Sequence, residues 1–343
     1  MLTDPTAPPS EGLSCYTENL AGYLSARAPG SAELLARSVR LAVDRDTGRF
    51  SHHNRALNDL PDGRRLGYRG APDAETALRG IAAELAERGR VLVVADSGAL
   101  PWVCGTADAH APHLLLVDGR TRNGDWHVVD GFSALFSGGG SQDPFSGTLS
   151  TAELTTLLCF PHGLSEVHRT RNTLAFGFPV PPPRYETYQW LVEERGSTKE
   201  ELPGKAWLTG PPALAETARR LTADLSGQAT HGVLEDVWAA AQHHLFRDNR
   251  MLGTAGTAGT VLSSEERQAI GITTSKWREL PRVLRFAANS ARRGRPRPSL
   301  IDGAFTALAD AEEQTLPLHR AHGYAASTAA PVPRPLAHQG GRL

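Results

Sequence analysis

The chain has 343 residues, of which 40% are hydrophobic, and this is enough for two domains with substantial cores. Its 36 Lys and Arg side chains balance 37 Asp and Glu, so the formal charge of -1 gives no reason to expect nucleic acid or an anionic membrane surface as a partner. Three cysteines without C-x-x-C spacing exclude a disulfide framework, and no stretch approaches the roughly 20 apolar residues of a membrane span. The start of the chain lacks a signal-peptide pattern, and a cytoplasmic location is therefore expected.

The first predicted element is a helix over residues 13–24, whose apolar residues follow the i, i+3, i+4 spacing of one helical face. Residues 1–12 before it are expected to be flexible. Ser14 is the expected N-cap, because its hydroxyl can accept a backbone N–H at the helix start. Cys15 then lies in the first turn, where the helix dipole and the exposed N–H groups favour a thiolate. Most cysteines are buried apolar residues, so this helix alone predicts only a reactive-looking thiol.

Two further helices and three strands are predicted in the first half. The helices are expected after Ser31 and Asp73, and the polar residues 44–72 between them are expected to be mostly loop. The strands are the apolar runs at 91–95, 113–118 and 126–130. Residues 137–147, rich in Gly and Ser, are expected to form a flexible loop.

The last two of these strands are predicted to form a hairpin, because Asn123-Gly124 between them is a turn signal. A loop over residues 120–123 would place His113 opposite Asp130. Directly opposed residues have Cβ atoms about 4.5–5.5 Å apart, so these two side chains are expected to hydrogen-bond. A slip of one residue would turn one of them to the other face of the sheet.

Cys15, His113 and Asp130 would then supply a nucleophile, a general base and a carboxylate that orients the imidazole. A cysteine, then a histidine opening one strand, then an acid closing the next is the order found in papain-like folds. Cys104, in the loop before His113, is an alternative nucleophile. Cys159, within an apolar segment, is expected to be a core residue.

No cofactor and no metal are predicted. A zinc site is an alternative, and its ligands would be His110, His113 and His127. However, His127 and Asp130 point to opposite faces of their strand, and no cysteine pair assists.

The second half is predicted to be a helical domain. The catalytic domain is expected to span residues 13–178, followed by a Pro-rich linker at 179–184, the helical domain at 185–324 and a disordered tail at 325–343. Helical patterns are found at 185–195, 213–225, 234–246, 265–270 and 277–290. The predicted fold class is therefore α+β, a papain-like cysteine peptidase fold with an antiparallel sheet plus a mainly helical C-terminal domain.

Three stretches carry a resemblance to a known family. They are the Cys-led helix with Asn19, the segment VLVVADSGALPWV at 91–103, and the strand pair from His113 to Asp130. Through them the first half resembles the N-terminal domain of the butirosin biosynthesis protein H-like family, a branch of the papain-like cysteine peptidase class. The second half is similar, less specifically, to the helical domain that often follows in such proteins.

The resemblance implies an acyltransferase of natural product (antibiotic) biosynthesis. Such an enzyme moves an acyl group from a carrier-protein thioester to an amine and makes an amide. Cys15 would hold the acyl group as a thioester, His113 would deprotonate Cys15 and later the amine, and Asp130 would orient His113. The implied partners are an acyl carrier protein, or another acyl thioester donor, and an amine-bearing small molecule.

Three further residues are expected to bind substrate: Asp96, Asn19 and Trp102. For Asp96, a supporting role in the site is the alternative. The sequence also departs from the papain-like pattern, because Pro8, Pro9 and Ser10 stand where a Gln would help to form the oxyanion hole. Three alternatives stay open: a hydrolase (peptidase, amidase or thioesterase), a cyclase on the same triad, and a non-catalytic carrier-binding scaffold. The oligomeric state, a homodimer included, is also open.

Overall fold

The computed structural model describes residues 13–28, 30–104, 110–135, 141–160, 164–183, 187–199, 207–223, 225, 228–254 and 262–325. The predicted flexible start and the predicted disordered tail beyond residue 325 lie outside these residues. Every strand pairing in the described residues is antiparallel, and the long helices follow one another in the second half. The α+β class and the antiparallel sheet are therefore confirmed.

The helices are α1 (Cys15–Ser25), α2 (Ser31–Ser38), α3 (Ala74–Arg88), α4 (Thr151–Leu158), α5 (Glu166–Leu174), α6 (Pro211–Ala223), α7 (Gln228–Thr254), α8 (Ser264–Arg292) and α9 (Pro298–Ala321). The strands are β1 (Val39–Asp44), β2 (Phe50–His53), β3 (Arg64–Ala71), β4 (Val91–Asp96), β5 (Val103–Cys104), β6 (Pro112–Arg120), β7 (Trp126–Asp130), β8 (Ala134–Leu135), β9 (Ser141–Gln142), β10 (Phe145–Leu149), β11 (Tyr188–Arg195) and β12 (Trp207–Thr209).

A six-stranded sheet in the order β10-β7-β6-β4-β11-β3 carries the candidate site. Successive residues of a strand face opposite sides, and both sides of this sheet are covered. Leu92 and Val94 of β4 share a core with Leu20 of α1, whereas Val93 shares a core with Ile81 of α3. This double burial explains the uninterrupted apolar run of β4.

The helix predicted at residues 185–195 is wrong, because residues 188–195 form strand β11 between β4 and β3. The Glu193 side chain of this strand is fully buried. It accepts a hydrogen bond from Tyr23 Oη at 2.7 Å and forms ion pairs with Arg27 at 2.9 Å and Arg64 at 2.6 Å. The six-stranded sheet therefore includes a strand from beyond the Pro-rich segment.

The hairpin of β6 and β7 forms as predicted, but its register differs by three residues next to the turn and by two residues toward His113. Val117 pairs with Val128 and Leu116 with Val129, with an irregularity before Gly119 pairs with His127. His113 is therefore not directly opposite Asp130. A two-residue shift preserves the face of each side chain, and the two groups still meet, as described below.

The second core lies among α6, α7, α8 and α9 around Trp277. Leu41 and Val43 of β1 and Phe50 of β2 belong to the same core, since these strands form a small sheet with β12. The two helical segments predicted at 265–270 and 277–290 are one helix, α8, which contains Pro281. In the described ranges, none of the helices is both long and apolar enough to cross a bilayer.

Candidate active site

The N-terminus of α1 holds the candidate nucleophile. Ser14 is the N-cap, as predicted: its side chain accepts a hydrogen bond from the backbone N–H of Thr17, and its carbonyl accepts one from Glu18 at 2.9 Å. Cys15 is the first helical residue and is half-buried. Its own N–H and that of Tyr16 lie in the first turn, where a helix offers no carbonyl to receive them.

His113 is the residue that joins this helix to the sheet. Its Nε2 lies 2.8 Å from Asp130 Oδ2, and both side chains are buried. A carboxylate only accepts hydrogen bonds, so Nε2 carries the hydrogen. Cys15 is close enough to the same ring to contribute to the raised pKa of His113, and Nδ1 is the ring nitrogen that Asp130 does not use. The structure thus brings the three predicted catalytic residues, Cys15, His113 and Asp130, close to one another.

The electrostatics favour a charged imidazole. Burial by itself would lower the pKa of His113, but the Asp130 carboxylate and Cys15 outweigh it and raise this pKa to about 10. Burial would likewise raise the pKa of Asp130, but the His113 charge and several hydrogen bonds hold it below its ordinary value. At neutral pH the site therefore contains an imidazolium between a carboxylate and Cys15, and such a neighbour stabilises a thiolate.

The Asp130 carboxylate is held by five hydrogen-bond donors. Oδ1 accepts from Asn19 Nδ2 at 2.9 Å and from the Phe132 N–H at 3.1 Å. Oδ2 accepts, besides His113, from Trp102 Nε1 at 3.0 Å and from Gln142 Nε2 at 2.6 Å. This set satisfies the lone pairs of a carboxylate buried away from water, so its charge and orientation are fixed.

Asn19 and Trp102, predicted to contact substrate, are here partners of Asp130. The two hydrogens of Asn19 Nδ2 are directed at Asp130 and at the Leu114 carbonyl, 2.7 Å away, so Asn19 links α1 to β6. Trp102 also stacks on Phe145, with ring centroids 4.0 Å apart. Asn19 and Trp102 therefore support the site by holding the Asp130 carboxylate in place.

Gln142 is a site residue that the sequence pattern did not predict. It lies in the segment predicted as a flexible loop, where residues 141–142 form β9 and residues 145–149 form β10; residues 136–140 lie outside the described residues. β9 pairs with β5, which follows Trp102, and this pairing brings Gln142 to Asp130. A lone Gln in a Gly- and Ser-rich stretch carries no sequence signal of such a role.

Asp96 ends β4, as predicted, and is buried beside the site strands. Its Oδ1 accepts from the Gly98 N–H at 3.0 Å, and its Oδ2 lies 2.7 Å from His110 Nδ1. The His110 side chain is about half exposed, with 45% of its surface accessible. Asp96 thus positions a second imidazole, three residues before His113.

A buried polar network lies next to Cys15 on the other side. Tyr16 Oη and Tyr68 Oη both donate to Asn172 Oδ1, the second at 2.7 Å. The Asn172 amide in turn faces Gln189 Oε1 at 3.4 Å. Burial, with Cys15 as a further cause, raises the pKa of both phenols, which therefore remain protonated donors.

The other cysteines and histidines named above lie in separate places. Cys104 is exposed on β5, and Cys159 is half-buried at the end of α4. His127 Nδ1 lies 2.6 Å from Asp118 Oδ1, so His110, His113 and His127 each bond a different carboxylate. Within the described ranges, no group of three or more His, Cys, Asp or Glu side chains is arranged to hold a metal ion.

The arrangement has the parts of a covalent acyl-transfer site: a thiol, a charged imidazole oriented by a carboxylate, and free backbone donors at a helix start. No known protein-family model matches the chain, and no curated protein matches its sequence significantly.

Proposed function

We propose that this protein is a cysteine-dependent acyltransferase with a papain-like catalytic fold, which forms an amide through a Cys15 thioester. The observation that carries the proposal is the geometry at His113, which bonds Asp130 through Nε2 at 2.8 Å and has Cys15 as its other electrostatic neighbour, so that Nδ1 is the nitrogen left for the thiol. The resemblance of the first half selects an acyl thioester as donor and an amine as acceptor, in small-molecule biosynthesis.

In the first half-reaction the Cys15 thiolate attacks the thioester carbonyl of the donor. The resulting oxyanion accepts hydrogen bonds from the backbone N–H groups at the start of α1. Collapse expels the donor thiolate, which takes the proton of the His113 imidazolium and leaves as a thiol. The products are acyl-Cys15 and a neutral imidazole.

In the second half-reaction the amine attacks the acyl-Cys15 carbonyl. Neutral His113 takes the amine proton, and collapse of the intermediate forms the amide bond and expels the Cys15 thiolate. The imidazolium and thiolate are then restored. Asp130 stays ionised throughout, because its five donors stabilise the carboxylate better than the acid.

An intact-mass experiment tests the proposal. The protein is incubated with butyryl-N-acetylcysteamine, a small thioester that mimics the end of a carrier arm, and the mass is followed by spectrometry. Wild type is expected to gain one butyryl group, and Cys15→Ala none. Cys104→Ser is the matched control and is expected to be acylated like wild type. An adduct on Cys15→Ala, or none on wild type, contradicts the assignment.

The fate of the adduct identifies the acceptor. For an acyltransferase, adding primary amines at millimolar concentration speeds the loss of the butyryl group from the enzyme and yields the butyramide. Loss at one rate with and without amines, with butyrate as the product, indicates a hydrolase on the same triad instead.

A further inference from the structure

Helix α7 of the helical half reaches the N-terminus of α1. The buried ring of His243 places Nε2 2.9 Å from Thr17 Oγ1, although the two residues are 226 positions apart in the chain. Thr17 is itself fully buried, two residues after Cys15. A hydrogen bond between two buried side chains of distant segments fixes their relative position.

The hydrogen positions follow from what each partner can do. Thr17 Oγ1 lies 3.1 Å from the Ser14 carbonyl, which only accepts, so the single Thr17 hydroxyl hydrogen is used there. Ser14 Oγ accepts from the Thr17 N–H and lies 2.7 Å from Thr17 Oγ1; because the Thr17 hydrogen is used at the carbonyl, Ser14 is the donor in this second contact. The remaining contact requires His243 Nε2–H as donor and Thr17 as acceptor.

These bonds hold the backbone on both sides of the nucleophile. Ser14 immediately precedes Cys15, and Thr17 lies one helical turn beyond the cap. A rotation at Ser14 would move the Cys15 sulfur relative to the ring of His113. Misplacement of a reacting atom by about 1 Å costs about a hundredfold in rate.

The same helix also supports the base. Trp238 of α7 contacts Phe132 edge-to-face, with ring centroids 6.0 Å apart. Phe132 in turn contacts the His113 ring, with centroids 5.6 Å apart. α7 thus contacts the supports of both the nucleophile and the base.

Packing alone does not account for an imidazole at position 243. The ring lies between those of His52 and His53, with centroids 5.3 and 4.8 Å away, and its Nδ1 is buried without a hydrogen-bond partner among the described residues. Leaving a buried polar atom unpaired is unfavourable, and a leucine would fill similar space without that cost. The bond to Thr17 is what the imidazole contributes here.

We propose that His243 is a positioning residue for the Cys15 nucleophile, and that it acts through Thr17 and the Ser14 cap. The helical half is then part of the catalytic apparatus. The proposal concerns the reactivity of the Cys15 thiol, so it does not require that an acyl thioester be the substrate.

The test measures the rate at which iodoacetamide alkylates Cys15 in the full chain, with Cys104 and Cys159 replaced by Ser. His243→Leu and Thr17→Val, which each remove the bond, are expected to lower this rate at pH 7 by about tenfold, a fraction of the loss for a 1 Å misplacement. The double variant is expected to be no slower than Thr17→Val alone, because Thr17→Val already removes the bond to His243. His243→Gln and Thr17→Ser, which retain a donor and a hydroxyl, should recover most of the rate.

His244→Leu is the matched control. His244 is the next residue of α7 and is also buried, but it bonds the Ala240 carbonyl at 2.8 Å and stacks on Trp277, away from α1. This variant is expected to lose thermal stability and keep the alkylation rate. His243→Leu is expected to keep its thermal stability and be alkylated more slowly. The proposal is overturned if His243→Leu and Thr17→Val are both alkylated at the wild-type rate. It is also overturned if His244→Leu loses alkylation rate in proportion to its loss of Tm, as His243→Leu does.

The outcome is separable from that of the acyl-transfer experiment. Fast, His243-dependent alkylation without any acyl adduct would support the positioning role and contradict the acyltransferase. Acyl transfer that is unaffected by His243→Leu would support the acyltransferase and contradict the positioning role.

Discussion

Replacing Asp130 by Asn tests the electrostatics of the site most directly, because it removes a charge and preserves the shape. The carboxylate lies 2.8 Å from His113 Nε2 and is the main cause that raises the pKa of His113 to about 10 against the effect of burial. Two charges about 4 Å apart at an effective dielectric of about 20 interact by about 4 kcal/mol. At 1.36 kcal/mol per tenfold change, this shifts the protonation equilibrium of His113 by about a thousandfold.

The assay is the iodoacetamide rate of Cys15 as a function of pH. In wild type the pKa of His113 is about 10, so its positive charge is present from pH 6 to pH 9 and favours the reactive thiolate across this whole range. In Asp130→Asn burial prevails, the imidazole is neutral, and the rate should rise with pH across this range. An ordinary cysteine is only about 3% thiolate at pH 7, so the rate there should fall, with about 30-fold as the upper limit for a complete loss of activation.

Asp118→Asn is the control for this comparison. It disrupts the other Asp–His bond of the same hairpin, in which Asp118 Oδ1 lies 2.6 Å from His127 Nδ1, and should leave the alkylation profile unchanged. A folded Asp130→Asn protein with the wild-type rate and pH profile would refute the role given to the Asp130 charge.

Three further predictions concern the surroundings of the site. Asn19→Ala should lower the free energy of unfolding by about 2–3 kcal/mol, measured by urea titration, because buried groups on Leu114 and Asp130 lose their donor; a loss below 0.5 kcal/mol would contradict this. Gln142→Leu should leave Tm within a few degrees but reduce Cys15 alkylation, since it removes a 2.6 Å bond to Asp130 and keeps the volume; an unchanged rate would show that the other donors suffice. The third concerns acid stability: four imidazoles, one half-buried and three buried, have pKa values that desolvation lowers below the ordinary 6.5, so they are neutral in the native state and the unfolded state binds more protons below pH 6.5. Stability should fall as the pH drops from 6.5 toward 4, by about 1.4 kcal/mol per pH unit for each imidazole, and a flat profile would refute their neutral burial. These residues are His52, His53, His243 and His244.

The local parts of the site could be predicted from sequence, and its long-range parts could not. The Ser14 cap, the Cys15 helix and the β6–β7 hairpin follow from spacing and turn residues within about twenty positions. The hairpin register differed because the turn closes at Thr121 and Asp125, later than the predicted loop over residues 120–123, and this shifts the pairing by three residues. The irregularity between Val117 and Gly119 reduces the shift to two residues. A shift of two residues leaves each side chain on the same face of the sheet, so His113 and Asp130 still meet.

The missed features depend on burial that sequence patterns do not report. Residues 188–195 were predicted as helix but form β11, whose Glu193 carboxylate is buried and bonded to Tyr23, Arg27 and Arg64. Gln142 and His243 act on groups that lie elsewhere in the chain, and nothing local to either residue indicates its partner.

The position of β11 also governs the order in which the sheet can be completed. β3 at the sheet edge pairs with β11 along its whole length, and β11 separates it from β4. During synthesis β3 therefore emerges more than a hundred residues before its partner, and that closure is slow because distant segments must meet. A nascent chain ending at residue 178 would expose an unpaired strand, which invites association with other chains.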